Sequence, residues 1–122
     1  MAGRVLLIED ETNIAEAIRF ILSREGWEVA VEPDGAMALD RVHALRPDLV
    51  ILDLMLPGMS GLEILTALRS APGTSDLPVL MLTAKGQGRD REAAERAGVS
   101  AFMSKPFSNA DMCAQVRALM EG

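Results

Sequence analysis

Five polar residues stand directly after short apolar runs in this chain: Glu9 and Asp10 after VLLI, Asp53 after LVIL, Thr83 after VLML, and Lys105 after AFMS. A carboxylate at the tip of a buried strand costs several kcal/mol, or takes up a proton, unless something compensates its charge. Two carboxylates about 4 Å apart repel by roughly 4 kcal/mol at an effective dielectric near 20, so three in one pocket require a cation. With only oxygen donors and no His or Cys close by, that cation is expected to be Mg²⁺, with Mn²⁺ able to substitute. Beside such an ion Asp53 can stay ionised and attack phosphorus, forming an acyl phosphate. Lys105 can then supply positive charge to the phosphoryl oxygens and Thr83 a hydroxyl donor. Phosphoryl transfer needs positioning and charge neutralisation above all.

These residues, spread from position 9 to position 105, meet only if the fold delivers them to one place. Short apolar runs alternate with helical patterns: VLLI, VAV, LVIL, VLML and AFM each precede an amphipathic stretch. Five βα units predict a parallel sheet with helices on both faces, since right-handed crossovers place a helix between parallel neighbours. The first, third and fourth runs are continuously apolar, as interior strands should be, whereas WEVAVE alternates and AFMS is short, which puts the second and fifth strands at the edges. The expected strand order is 2-1-3-4-5, a flavodoxin-like arrangement in which ligands bind beyond the carboxyl ends of the strands. Glu9, Asp10, Asp53, Thr83 and Lys105 all fall at that edge.

Local punctuation agrees with this layout. Asn13 with Glu16 and Ser60 with Glu63 have capping-box spacing, and Gly26 and Gly98 stand where helices would end. Ile14, Ile18, Ile21 and Leu22 share one face of the first helix; Met112, Val116, Leu119 and Met120 share one face of the last. Over residues 90–97 only Ala93, Ala94 and Ala97 can form an inner face, so the fourth helix is expected to be weakly held. Gly58 and Gly61 serve loop geometry, because no GxxxxGK[ST] pattern is present. His43 lies away from the strand ends and reads as a surface or half-buried side chain.

Composition narrows the function classes. At 122 residues there is room for one domain. No apolar run approaches the roughly twenty residues that cross a bilayer, so neither a membrane partner nor export is expected. One cysteine, Cys113, excludes an internal disulfide, suits a cytoplasmic setting, and reads as a small hydrophobe on a helix. A net charge of −6, three Phe, one Trp and no Tyr, without basic runs, lead to the expectation of no direct nucleic-acid binding.

The pieces "IEDE" at 8–11, "DLMLPGMSG" at 53–61, "LTA" at 82–84 and "SKPF" at 104–107, in that order and spacing, resemble a response-regulator receiver domain over essentially the whole length. The resemblance implies that Asp53 is the phosphoacceptor, that Asp10, Asp53 and the Met55 carbonyl hold Mg²⁺ with Glu9 joining through water, and that the Lys105–Pro106 peptide is cis. It implies a switch through Thr83 and Phe102, where Tyr is frequent, and an output surface made of the fourth helix, fifth strand and fifth helix. It also places Met55 and Lys85 beside the path of hydrolytic water, so they should tune the lifetime of the phosphoryl group.

The expected protein is therefore one receiver domain spanning 1–122 that acts as a signalling switch and not as an enzyme with turnover. It takes phosphate from a phosphohistidine on a sensor histidine kinase or phosphotransfer protein, which docks near the first helix and the loop before the fifth, and it acts on a downstream protein or a fused output domain. No patch argues for a particular oligomeric state. The alternative is a small Mg²⁺-dependent phosphohydrolase or phosphotransferase using Asp53 on an external substrate. It is disfavoured because a compact chain leaves little room for a second acid/base carboxylate or a cap.

Overall fold

A computed structural model describes residues 3–84 and 88–121. The chain alternates strand and helix: β1 Arg4–Ile8, α1 Thr12–Arg24, β2 Glu28–Glu32, a 3-10 turn Gly35–Met37, α2 Ala38–Leu45, β3 Leu49–Asp53, α3 Gly61–Ser70, β4 Val79–Thr83, α4 Gly88–Ala97, β5 Ala101–Ser104 and α5 Asn109–Glu121. All strand pairings are parallel and the order is β2-β1-β3-β4-β5, as expected from the apolar runs. Every residue of β3 and β4 is buried, whereas β2 and β5 are largely half-buried, so the continuous runs did mark the interior.

Alternation along the strands divides the core in two. Val5, Leu7, Leu49, Ile51, Leu80 and Leu82 face α1 and α5, meeting Ile18, Leu22, Met112 and Val116. Leu6, Ile8, Val50, Leu52, Val79 and Met81 face α2, α3 and α4, meeting Val42, Ile64, Leu65 and Leu68. The fourth helix contributes only Ala94 as a fully buried residue, which agrees with the thin alanine face read from the sequence. Its far end is tied by Arg69 of α3, whose Nε donates to the Gly98 carbonyl at 2.8 Å.

Helix punctuation was legible at one of the two capping signals. Ser60 accepts from the Glu63 amide and the Glu63 carboxylate accepts from the Ser60 amide, completing the capping box of α3. The Asn13–Glu16 spacing forms no such box: α1 begins at Thr12, its N-cap is Glu11 without a side-chain cap, and Asn13 lies inside the first turn. Gly26 and Gly98 do sit past helix ends, both at positive φ, 98° and 94°. The 3-10 turn Gly35–Met37 was not foreseen.

These differences give a paired prediction. Ser60→Ala should lower the unfolding free energy by about 1 kcal/mol, whereas Asn13→Ala should change it by less than about 0.5 kcal/mol. Urea unfolding of the two variants checks this; equal losses would contradict the assignment of the caps.

Candidate functional site

The carboxyl ends of β1, β3, β4 and β5 bring together the residues expected from the sequence. Glu9 is 1% exposed, Asp53 4% and Thr83 2%, while Asp10 faces solvent. Carboxylate oxygens of Glu9, Asp10 and Asp53 lie within 4.8 Å of one another. Lys105 reaches into this group: its Nζ donates to Glu9 Oε1 at 2.7 Å and stands 3.4 Å from Asp53 Oδ2 and 3.7 Å from Glu11 Oε1. The Lys105–Pro106 peptide is cis, and the Lys105 amide donates to the Thr83 carbonyl at 2.8 Å, which fixes the lysine backbone beside β4.

Burial pushes the Glu9 carboxyl above the usual carboxylate range; the bonds from Lys105 and the Glu11 amide offset part of this, while the Asp53 charge adds to it. Burial works against the Lys105 ammonium as well, yet the Glu9 hydrogen bond and the charges of Asp53, Glu9 and Glu11 outweigh it and hold that ammonium above its ordinary range. The lysine is therefore the resident cation of a crowded acidic pocket.

The loop following Asp53 is held at both ends. The Leu54 amide donates to the Leu82 carbonyl at 2.8 Å, and the Gly61 amide to the Leu54 carbonyl at 2.9 Å. A Cβ on Gly61 would come within 2.4 Å of the Asp53 carbonyl oxygen, so only glycine allows α3 to start this close to Asp53. The Met55 amide donates to Asp53 Oδ1 at 3.3 Å, orienting the carboxylate, and the Met55 side chain is 73% exposed. Phe102 is half-buried against the α2–α4 core, with the Arg91 guanidinium 5.8 Å from its ring centroid. Lys85 lies outside the described residues. His43 is exposed on α2 and takes no part.

The sequence reading gave Glu11 no role, although it closes the acidic run of "IEDE" and its carboxylate faces Lys105. The run of three acids was the available signal. It also overlooked the Asp34–Gly35 turn, whose backbone meets the loop after Asp53: the Gly35 amide donates to the Pro57 carbonyl at 3.1 Å.

The donor chemistry suits a hard divalent ion. Three carboxylates converge with no nitrogen or sulfur donor among them, and Glu9, Asp10 and Asp53 could hold a metal between them.

The chain belongs to the response regulator receiver domain family, whose model matches residues 5–117. Among its relatives are the DNA-binding response regulator MtrA of Mycolicibacterium paratuberculosis, 42% identical over 97% of this chain and 51% of that protein. The phosphate regulon transcriptional regulatory protein PhoB of Escherichia coli is 38% identical over 98% of this chain and 52% of that protein. The chain thus spans about half the length of the curated relatives it matches. Solved structures agree. The BeF3-activated N-terminal receiver domain of Klebsiella pneumoniae RstA aligns with a TM-score of 0.92 at 27% identity, over 98% of this chain and 100% of that one. The chemotaxis response regulator CheY4 of Vibrio cholerae aligns with a TM-score of 0.91 at 26% identity, over 98% and 99%.

One expectation is corrected by these relatives. The acidic charge balance led to the expectation of no direct nucleic-acid partner, whereas MtrA is a DNA-binding response regulator and PhoB a transcriptional regulatory protein. Net charge reports the surface of these 122 residues and carries no information about what a protein containing such a unit binds. The other general expectation concerned membranes: among the described residues no helix is long and apolar enough to cross one.

Removing the ammonium tests the electrostatics of the pocket. Lys105→Met should lower the unfolding free energy by about 3 kcal/mol in metal-free buffer at neutral pH, because buried Glu9 loses its charged partner. A divalent cation should narrow that gap. Urea titrations with and without MgCl₂ measure both effects; a variant as stable as the parent would contradict the role given to Lys105.

Proposed function

We propose that the chain is a phosphorylation-dependent switch that accepts a phosphoryl group from a phosphohistidine onto Asp53 with the help of Mg²⁺. The observation that carries this reading is a buried aspartate at the end of β3 with an ammonium 3.4 Å away and two more carboxylates beside it, in a chain of the receiver family. The residues fit the ion: Asp10, Asp53 and the Met55 carbonyl would hold it, with Glu9 joining through water. When bound, Mg²⁺ supplies positive charge to the phosphoryl oxygens. Mn²⁺ offers the same chemistry.

In this reading an Asp53 carboxylate oxygen forms the new bond to phosphorus as the phosphorus–nitrogen bond breaks and its electron pair leaves on the donor imidazole. The Met55 amide holds the other carboxylate oxygen in place. Lys105 balances charge on the phosphoryl oxygens, and the Thr83 hydroxyl donates to one of them. Drawing Thr83 inward gives Phe102 room to turn, and α4, buried only through Ala94, can shift at low cost. The α4–β5–α5 face then carries the output. The protein assists its own modification and turns over no external substrate.

A groove of about 520 Å³ beside Lys105 supports docking of the donor. It runs between α1 and the segment after β5, lined on its apolar side by Ile14, Ala17, Ile21, Pro106 and Phe107. It opens next to the site, where a helix bearing the phosphohistidine would have to lie. The relatives' roles in DNA binding and transcription support an output that governs DNA binding, and hence a cytoplasmic location. Met55, and Lys85 with it, would restrict hydrolytic water at the acyl phosphate.

Intact-mass spectra after incubation with a small phosphodonor and Mg²⁺ should show one added phosphoryl group on the parent chain and none on Asp53→Asn; labelling of that variant would overturn the assignment. Chelating the metal should reduce labelling of the parent to background. Ala17→Arg separates docking from chemistry. It should slow transfer from a phosphohistidine protein at least tenfold, and leave labelling by acetyl phosphate within about twofold.

A further inference from the structure

The turn after β2 interlocks with the loop after Asp53, and the fit leaves no spare volume. Gly35 is buried, and its amide donates to the Pro57 carbonyl at 3.1 Å. A Cβ added there would meet the Met59 carbonyl oxygen at 2.2 Å and the Pro57 carbonyl oxygen at 2.8 Å. Both are backbone atoms, so no side-chain rotation can relieve the overlap. The contact is mutual: a Cβ on Gly58, at φ 83°, would stand 2.9 Å from Asp34 Oδ1 and 3.0 Å from the Ala36 amide nitrogen.

The turn itself is braced from the first side of the site. Asp34 Oδ1 accepts from the Ala36 amide at 2.9 Å, and the Asp34 amide donates to Glu32 Oε2 at 2.9 Å. Glu32, buried at the end of β2, pairs through Oε1 with Arg41 at 3.4 Å, and its carbonyl accepts from the Glu9 amide at 3.1 Å. A continuous backbone path therefore runs from Glu9 through Glu32, Asp34 and Gly35 to Pro57.

The far side of the loop is equally fixed, since Leu54 is bonded to β4 and Gly61 back to Leu54. Anything that pushes residues 57–59 must be absorbed between two tied points; on the α3 side the one link, Ser60, is itself held in the capping box, which leaves Met55 and Leu56. We propose that the Asp34–Gly35 turn is a positioning element that sets where the Met55 carbonyl stands relative to Glu9, Asp10 and Asp53, and so sets the affinity of the site for a divalent cation. This rests on the reading of Glu9, Asp10, Asp53 and Met55 as the metal site. Supporting groups outside a coordination shell commonly change metal affinity by 10- to 100-fold when altered.

Calorimetric titration of the unphosphorylated chain with MgCl₂ tests it. Gly35→Ala should weaken Mg²⁺ binding about tenfold or more, and saturating Mg²⁺ should recover most of the labelling rate by acetyl phosphate. Gly73→Ala, where an added Cβ meets nothing within 4 Å, should bind as the parent does. Since Gly35→Ala overfills a buried contact, Asp34 gives a second pair that keeps the glycine. Asp34→Ala, which loses the bond to the Ala36 amide, should weaken binding several-fold, and Asp34→Asn, which keeps an acceptor oxygen, should restore it. A folded Gly35→Ala that binds Mg²⁺ like the parent overturns the inference. Equal affinity in Asp34→Ala and the parent does so too, and equal weakening by Asp34→Ala and Asp34→Asn would assign the effect to charge instead of position. Absence of binding by the parent would instead overturn the reading of the site itself.

Discussion

Crowded negative charge at the carboxyl edge of a parallel sheet is the constraint around which this protein is arranged. Three carboxylates at the ends of two strands have oxygens within 4.8 Å of one another, and two of those residues are almost wholly buried. Lys105 makes this tolerable, bonded to Glu9 at 2.7 Å and close to Asp53. Lys105 follows β5 directly and its backbone is pinned to Thr83, so the end of the sheet sets where the ammonium starts. A divalent cation would add to the same compensation.

That arrangement was legible because parallel sheets separate their tasks along the chain. Strand interiors must be apolar on both faces, so Leu49, Val50, Ile51 and Leu52 announce a buried strand, and an acid directly after them announces an edge where ligands bind. Repetition of that pattern at Glu9, Thr83 and Lys105 predicted that these residues meet at one edge, as the structure brings them together. The edge positions of β2 and β5 followed from the same contrast in continuity.

What escaped the sequence depends on close backbone approach or on short-range competition. Asn13 carried a capping signal, but α1 begins at Thr12 because the chain turns into helix immediately after the acidic run. Gly35 reads as an ordinary turn glycine; only the proximity of the Pro57 and Met59 carbonyls shows that it has no room for a side chain. Glu11 is exposed, and only its 3.7 Å distance to Lys105 ties it to the pocket. The nucleic-acid expectation failed for a different reason, since a bulk charge describes one surface and the relatives that bind DNA are about twice as long as this chain.

Glu9, Asp10 and Asp53 are proposed to form one cation site with Lys105 at its border. Crystals soaked in Mn²⁺ and measured for anomalous scattering test it most directly. One strong peak is expected between the Asp10 and Asp53 carboxylates and the Met55 carbonyl. A peak elsewhere on the molecule, or none at a concentration that saturates other acidic sites, would contradict it.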